Sequence, residues 1–486
     1  MTPAARSELE ALARSGAAWA AGGPVRDWFL GRPAADLDVV VPEGGVAAAR
    51  GLAARAGGRL VLLDEGEGVA RVVFPDLVVD FSQFRGGARD LAGDLAARDF
   101  TLNAMAVPLG AALPLLDAPP EDPGAVRGRL LPALVDPHGG RRDLEAGVIR
   151  ALGRRNLADD PLRLLRAFRF RAQLDFAIEP GTRGWIPELA PALGGVAAER
   201  VSHELGLVLA TGRAGRTFAE MAEAGILFVL FPELAPGVGL EQPGFHHLDV
   251  FRHCLAALEA LEELVRDPGT AFTEAAPLRS WVAGAGDRLP WLAWAALFHD
   301  LGKPACRGEK AGRPTFYYHD HAGAEMVAAI GRRLRWPRRG TAFAARMVRL
   351  HMRPFFLLAQ VRRGGPSRRA MRRLLTEAGA DYPALFLLAM ADSRAGRGPL
   401  KPPDLDRNLD LLWSRVHAFH EERMRPVAAL PRLLTGHDLQ EIFGLAPGPR
   451  IGRLLEALEE ARVEGRVADR EEAVRWLRRL VEQEEA

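Results

Sequence analysis

Hydrophobic periodicity changes once along this chain, and that change constrains the fold more than any other feature. Up to about residue 150, apolar runs of strand length (Leu37–Val41, Leu60–Leu63, Ala70–Phe74, Leu77–Phe81) alternate with glycine-rich turns and helical stretches, which predicts an α+β domain. From Leu152 onward, apolar residues recur at three- and four-residue spacing, as in Pro161–Gln173, Glu199–Leu209, His253–Leu264 and Ile451–Leu455, so the remainder is expected to be all helical. Gly and Pro accumulate from Phe231-Pro232-Glu233 to Pro243-Gly244 and again from Gly396 to Asp404, marking breaks. These divide the chain into 1–150, 151–235, 236–400 and 401–486, and 486 residues suffice for more than one buried core.

Composition excludes several classes. With 48% hydrophobic and 26% charged residues, the chain has the apolar content of a folded protein and none of the depletion of a disordered one. The apolar run Trp291–Phe298 is far shorter than the roughly 18 residues of a membrane-spanning helix. No membrane partner is expected. The first residues, Met-Thr-Pro-Ala-Ala-Arg-Ser-Glu, lack the basic start and apolar core of a secretory signal, so the expected location is the cytoplasm. Cys254 and Cys306 make neither a disulfide framework nor a thiolate zinc site.

A net charge of +2 does not announce a nucleic-acid partner. Its distribution says more, because Lys303, Lys310 and Lys401 are the only lysines and nearly every cation is an arginine, suited to bidentate phosphate contact. Arg332, Arg333, Arg335, Arg338, Arg339, Arg362, Arg363, Arg368, Arg369, Arg372 and Arg373 form a cluster able to follow an RNA backbone. Solvated helix faces account for it equally well.

The most informative segment is Ala21-Gly22-Gly23-Pro24-Val25-Arg26-Asp27, followed by Asp36-Leu37-Asp38-Val39-Val40-Val41. Gly22 and Gly23 let backbone amides approach a phosphate, Pro24 suits the first turn of a helix, and Arg26 stands beside that turn. Asp36 and Asp38, two apart on a strand, point to one face, and paired carboxylates on a rigid strand suit Mg²⁺ bridging a triphosphate. Asp80, in Val78-Val79-Asp80-Phe81, supplies a third carboxylate from a neighbouring strand. Taken alone, a Gly pair is usually a turn and a DxD often a polar strand end; together and in this order they favour metal-assisted nucleotidyl transfer.

These motifs resemble those of the class II tRNA nucleotidyltransferase (CCA-adding enzyme) and bacterial poly(A) polymerase family. The resemblance continues through Arg98-Asp99-Phe100-Thr101-Leu102-Asn103-Ala104-Met105-Ala106, similar to RRDFTINAMA with Ala97 for the first arginine, and through Asp136-Pro137 with Asp143-Leu144 and Arg150. Asp159-Asp160-Pro161-Leu162-Arg163-Leu164-Leu165-Arg166 resembles EDxxR with aspartate for glutamate, and Glu199-Arg200-Val201 with Glu204-Leu205 resembles the next motif. Leu434-Thr435-Gly436-His437-Asp438-Leu439 and Gly448-Pro449 with Ile451-Gly452 are similar to the family's tail, so the match spans nearly the whole chain.

The resemblance implies a polymerase-β-like nucleotidyltransferase head followed by an all-α neck, an HD domain and a C-terminal helical RNA-binding tail. It implies Mg²⁺ held by Asp36 and Asp38, with Asp80, and CTP or ATP bound by Gly22, Gly23, Arg26, Arg98, Asp99, Asn103, Asp160, Arg163 and Arg166. Asp160, Arg163 and Arg166 share a helical face, and a carboxylate beside a guanidinium can pair with a base edge in place of a template. Asp160 before Pro161 is also a good helix N-cap, and arginines on helices usually face water. The partners implied are the tRNA 3′ acceptor end, CTP and ATP, with recognition by shape and phosphates.

The helical middle carries His253, then Phe298-His299-Asp300-Leu301-Gly302-Lys303, then His319, His351 and Ala391-Asp392-Ser393. Imidazoles and carboxylates on helices can converge on one or two divalent ions and activate water. The ordered set resembles the HD phosphohydrolase domain of some bacterial family members, which acts on phosphomonoesters and 2′,3′-cyclic phosphates. This implies a metal site of His253, His299, Asp300 and Asp392 accepting Ni²⁺, Mn²⁺ or Co²⁺.

The expected function is therefore template-independent addition of CMP and AMP to tRNA 3′ ends, with an HD phosphohydrolase centre. Only 17 residues, Phe81 to Ala97, separate Asp80 from Arg98. Members that build the whole CCA end usually carry a longer flexible segment there, which makes a CC-only enzyme working with a separate A-adding partner the first alternative. Poly(A) polymerase is a second. From another class, the chain is a phosphohydrolase with a vestigial nucleotide-sensing head, and a pure binding module leaves the motif set unexplained.

Overall fold

In the computed structural model, residues 1–34, 36–116, 123–242, 244–361 and 365–485 are described. Arg362 and Arg363 of the arginine cluster, and Pro243 of the first break, lie outside the described residues. The chain forms two compact units, one of residues 1–211 with 220–230, the other of 212–219 with 231–486.

The first unit is built on a six-stranded sheet. Its strands are β1 (Trp19–Ala21), β2 (Asp36–Val41), β3 (Arg59–Asp64), β4 (Val69–Val73), β5 (Val78–Gln83) and β6 (Ala106–Pro108), ordered β3-β4-β5-β2-β1-β6. The four runs expected from apolar patterning are β2 to β5. β1 and β6 are three residues each, too short to show a period of two. Parallel pairing of β2 with β5 sets Asp38 opposite Asp80 and Asp36 opposite Val78. The alternate residues of β2, Leu37, Val39 and Val41, are buried, so the aspartates face away from that core.

Helices complete the unit. Gly23–Phe29 follows β1 directly, Leu162–Leu174 carries Arg163 and Arg166 of the DDxxR-like motif while Asp160 precedes it in extended backbone rather than sharing its helical face, and Ala198–Leu209 packs against Leu162–Leu174. Buried Leu164, Leu165, Phe168 and Ala172 line the inner side of Leu162–Leu174, and the αL residue Asp175 (φ 60°) ends it.

In the second unit Val250–Arg266 packs along Tyr382–Ala395, with Arg288–Phe298, His319–Arg333 and Arg338–Leu350 beside them. Phe218, Phe231, Trp294 and Phe298 form a buried aromatic stack with centroids 5.2–5.5 Å apart. Among the described residues one helical run, Arg368–Ala395, is long and apolar enough to cross a bilayer, but 72% of its apolar window is buried inside the protein and a 3₁₀ turn at Gly379–Asp381 interrupts it. That is the character of a core element. The last three helices, Gly436–Phe443, Pro449–Val463 and Arg470–Glu485, close on their own core of Leu439, Ile451, Leu454, Leu458 and Leu477. Thr435 and Asp438 form a capping box, and Arg470 reaches Asp438, which gives the Thr435-Gly436-His437-Asp438 motif a structural role.

Candidate functional sites

The head site forms where β1 ends. Gly22 has φ 79° and ψ −131°, a conformation open essentially to glycine, and a Cβ there would lie 2.7 Å from Arg98 Nη1 and 3.1 Å from Asp38 Oδ2. Both reasons forbid a side chain. The turn leads straight into Gly23–Phe29, with Pro24 in its first turn. Arg26 donates from Nη1 to Asn103 Oδ1 at 2.9 Å and pairs with Asp27, which fixes its guanidinium at the sheet edge.

Asp36, Asp38 and Asp80 converge, with one carboxylate oxygen of each within 4.8 Å of the others. Burial pushes the Asp38 carboxyl up to about 7, and Asp36 adds repulsion that Arg98 only partly offsets. Asp36 is raised too, by burial and then by Asp80. Asp36 and Asp38, two neighbouring carboxyls that resist ionisation, are what a hard divalent cation relieves, and oxygen donors suit Mg²⁺. Asp80 differs from the other two, because Arg71 on β4 donates to both its oxygens at 2.7 Å.

Arg98 is buried and bound by Asp94 at 3.2 Å, and Asp94, wholly buried, also holds Arg85 at 2.9 Å. The segment between Asp80 and Arg98 is thus folded into a 3₁₀ turn and the helix Leu91–Ala96, closed on Asp94. Asp99 lies well below the usual carboxylate range: burial opposes ionisation, but Arg166 at 2.6 Å, the Asn103 amide and the Phe100 N–H outweigh it. Asp143 holds Thr101 Oγ1 at 2.8 Å and Arg150 at 3.0 Å, and a Cβ on Gly140 would lie 2.1 Å from the Thr101 carbonyl. The Asp136-to-Arg150 element therefore clamps the segment that carries Arg98, Asp99 and Asn103.

On Leu162–Leu174, Asp160 caps the helix through the Leu162 N–H at 3.3 Å and pairs with Arg200 at 2.9 Å. Arg163 donates to the carbonyls of Ala97, Arg98 and Asn156 at 3.0–3.1 Å. Arg163 thus faces the Arg98 segment, and both residues are held in place. Glu204, buried, meets Arg169 at 3.1 Å and Arg166 at 3.8 Å, and burial brings Arg169 down to about 10. Arg26, Arg166 and Arg169 surround the Phe170 ring at 4.3–5.5 Å.

The second site lies in the helical unit. His253 (from Val250–Arg266), His299 and Asp300 (after Arg288–Phe298) and Asp392 (in Tyr382–Ala395) meet: His253 Nε2 is 3.0 Å from Asp392 Oδ1 and 3.2 Å from His299 Nε2. His319 and His351 join them, with Nε2 atoms 3.2 Å apart and 3.3 and 3.7 Å from Asp300 Oδ1. Burial disfavours a charged His299, yet Asp300 and Asp392 raise it to about 9, while burial lowers His351 to about 4. Lys303 lies 2.5 Å from Asp300 Oδ2 and is also bonded by Gln242. Imidazole with carboxylate fits a borderline transition ion.

A cavity of about 830 Å³ opens onto this cluster, with Asp300, His319 and Asp392 at its floor, Phe245, Phe316, Tyr317, Tyr318 and Phe356 on its walls, and Lys303 and Lys401 beside them. Two of the chain's three lysines therefore face one cavity.

The structure brings Asp36, Asp38 and Asp80 together in the head and His253, His299, Asp300 and Asp392 together in the helical unit. Sequence reasoning missed Arg71, Asp94 and Gln242, whose roles depend on tertiary contact. Of the arginine cluster, Arg333 pairs with Glu233, Arg369 and Arg372 with Glu460, and Arg373 with Glu377.

Comparison with known proteins finds profile matches along most of the chain. The family profile described as "Poly A polymerase head domain" matches residues 18–150, an RNA-binding-site profile of polymerase A matches 175–237, an "HD domain" profile matches 250–380, and a profile for tRNA nucleotidyltransferase domain 2 matches 422–477. An A-adding tRNA nucleotidyltransferase of Deinococcus radiodurans is 37% identical over 471 residues, covering 95% of each chain. A CC-adding tRNA nucleotidyltransferase of Geobacter sulfurreducens is 33% identical, covering 97% of this chain and 94% of the relative. Among solved structures, a Thermotoga maritima CCA-adding enzyme complexed with tRNA superposes with a TM-score of 0.60 at 21% identity, covering 98% of this chain and 94% of the other, which establishes a shared fold.

Proposed function

Because the chain belongs to the tRNA nucleotidyltransferase and poly(A) polymerase family, we propose that its head transfers a single kind of nucleotide to the tRNA 3′ end, building part of the CCA terminus. The observation that carries this is the connection from Asp80 to Arg98. It leaves 17 residues, and they are folded into a turn and helix pinned by Asp94. The base-reading pair is equally fixed, Asp160 by Arg200 and Arg163 by three carbonyls. A pocket with no slack reads one base edge, whereas CTP-to-ATP exchange requires that edge to change. The relatives reported above are themselves one A-adding and one CC-adding enzyme, each matching over nearly its whole length.

In this reading Gly22 and Gly23 bring backbone amides to the triphosphate, with Arg26 and Arg98 flanking it. Asp99 and Asn103 hold Arg166 and Arg26 in register, and Asp160 with Arg163 orients the base. Asp36 and Asp38 hold a divalent cation, assigned as Mg²⁺ from its oxygen donors; when bound it supplies Lewis-acid stabilisation of the triphosphate and acidifies the attacking hydroxyl. The tRNA 3′-hydroxyl attacks the α-phosphorus, a phosphodiester forms, and pyrophosphate leaves.

The HD centre acts on phosphate esters, with a water as nucleophile and Ni²⁺, Mn²⁺ or Co²⁺ held by His253, His299, Asp300 and Asp392. The lysine-bearing cavity beside it supports that reading. We assign the four parts 1–150, 151–235, 236–400 and 401–486 as head, neck, HD domain and RNA-binding tail, a division the profile matches support, and place the enzyme in the cytoplasm.

The test offers CTP, ATP or both, with Mg²⁺, to tRNA transcripts lacking the last three nucleotides or only the terminal A, and sequences the ends. Extension of one transcript by one nucleotide type is expected. Complete CCA addition by this chain alone overturns the single-nucleotide reading, and no extension at all overturns the transferase reading. The HD activity is tested by hydrolysis of 2′,3′-cAMP with each of the three metals.

A further inference from the structure

Among the described residues, four aromatic side chains stand open to solvent: Phe245, Tyr317, Tyr318 and Phe356, at 47% to 75% exposure. The chain has 22 phenylalanines, 9 tryptophans and 3 tyrosines, and exposed ones scattered singly would call for no explanation. These are not scattered. They come from three separate stretches of the helical unit, the segment before Val250–Arg266, the turn before His319–Arg333 and the helix Arg353–Val361, yet all four line the one cavity that opens onto the HD centre. A cavity that had only a phosphate group to hold would gain nothing from four exposed rings.

The turn that carries two of them has an imposed shape. Tyr318 sits at φ 63°, in the left-handed region that tyrosine seldom enters, and such a conformation persists only where the surroundings over-determine it. The His319 N–H donates to the Phe316 carbonyl at 3.3 Å, and the N–H groups of His321 and Ala322 both donate to the Tyr318 carbonyl at 3.1 Å. Tyr317 and Tyr318 are thereby held on the cavity wall.

Positive charge adjoins that wall. Lys303 Nζ, 2.5 Å from Asp300 Oδ2 at the floor, lies 5.8 Å from the ring centroid of Phe316, the neighbour of Tyr317, and Lys401 lines the same cavity. A ligand that suits both parts joins an anionic ester to a flat π-system. We propose that Phe245, Tyr317, Tyr318 and Phe356 form a stacking platform for a nucleobase, so that the phosphate esters taken by the HD centre are those of nucleosides, recognised by the face of the base and not by its edge. The proposal rests on the phosphate-ester reading of the HD centre given above and deepens it. Two carboxamides that line the cavity and could read a base edge are engaged within the protein, since Gln242 Oε1 accepts from Lys303 and Asn408 Nδ2 donates to Asp404 at 2.9 Å. Every base has a π-face, so the platform accepts purines and pyrimidines alike.

The test labels the full chain with 3-fluorotyrosine. Three tyrosines give three ¹⁹F signals, assigned by Tyr317→Phe, Tyr318→Phe and Tyr382→Phe, and Tyr382, buried at the start of Tyr382–Ala395, serves as internal reference. Adenosine 2′-monophosphate and cytidine 2′-monophosphate should each move the Tyr317 and Tyr318 signals and leave that of Tyr382 in place, whereas glycerol 2-phosphate, an ester without a base, should move them far less. An RNA oligonucleotide ending in a 2′-phosphate separates the sources: shifts with the RNA alone assign the platform to strand ends, shifts with the mononucleotides as well open it to free nucleotides, and shifts with neither overturn it. Movement with the adenosine ester but not the cytidine ester overturns recognition by the face alone. In hydrolysis, Tyr317→Ala and, separately, Phe356→Ala should cut the selectivity for 2′,3′-cAMP over glycerol 2-phosphate by about 5- to 100-fold, the effect of losing one base–aromatic stack, with circular dichroism confirming the fold. Equal losses on both esters overturn the platform. Hydrolysis of neither ester by the parent overturns the phosphohydrolase reading instead, and the ¹⁹F titration still decides whether a base stacks there.

Discussion

Asp38 stands directly opposite Asp80 on the parallel strands β2 and β5, yet the two carboxylates are not equivalent, because Arg71 donates to both oxygens of Asp80 at 2.7 Å. Asp38, left with a burial-raised carboxyl near 7, is the group that gains most from a bound cation. Asp36→Asn and Asp38→Asn are therefore expected to reduce single-turnover tRNA extension to background. Asp80→Asn should cost about 10- to 100-fold, the usual range for a residue that supports metal ligands from outside the coordination sphere. Equal losses in all three variants would mean that Asp80 leaves Arg71 and joins the ion directly.

Gly22 is required twice over, by its φ of 79° and by the 2.7 Å a Cβ would have to Arg98 Nη1. Gly22→Ala forces a side chain into a conformation costing about 1–3 kcal/mol and pushes Arg98 off the phosphate turn. We expect a lower melting temperature and at least a tenfold rise in KM for the nucleotide. Gly23, whose Cβ would come no nearer than 3.7 Å to Arg26, should tolerate alanine better, and a reversed order would contradict the packing.

Glu204 is buried between Arg166 and Arg169. Glu204→Gln removes the charge that holds two crowded guanidiniums, and breaking a buried pair typically costs about 3–5 kcal/mol. Since Arg166 in turn holds Asp99 at 2.6 Å, the loss should appear both in thermal unfolding and as weaker nucleotide binding. A variant that melts earlier but binds nucleotide normally would confine Glu204 to the neck's stability.

How much of this was legible in the sequence depended on whether a residue's role is local or tertiary. Asp36 and Asp38 announced themselves because a period of two fixes their shared face, and the phosphate turn because Gly-Gly-Pro has few conformational readings. The capping box of Thr435 and Asp438 is equally local, although the sequence reading took that segment only for its likeness to the family's tail. By contrast, β1 and β6 are set by pairing partners rather than by their own pattern, and Asp94 reads as one more acidic residue on a short helix until Arg85 and Arg98 are seen around it. His319 and His351 were visible as histidines, but nothing in their 32-residue separation reveals that their Nε2 atoms meet. The arginines from Arg332 to Arg373 suggested an RNA track, and several are instead tied to Glu233, Glu377 and Glu460.

Glu262 gives the helical unit a pH dependence. Its carboxylate accepts the N–H groups of Ala214 and Gly215 at the start of the helix Ala214–Glu223, but burial outweighs those bonds and pushes it from an ordinary value of 4.5 up to about 7. Between those two values the folded chain binds the proton more tightly than the unfolded chain does. This contribution to stability is therefore complete below pH 4.5, falls as pH rises, and is gone above about pH 7. Glu262→Gln keeps a neutral acceptor for the helix amides and removes the titration. Its melting temperature, followed from pH 5 to pH 8.5 against the parent, should decline less across the neutral range, so that the variant matches or exceeds the parent at the alkaline end. Parallel curves for the two proteins would show that Glu262 is ionised throughout and that the two amide hydrogen bonds, rather than desolvation, control its charge.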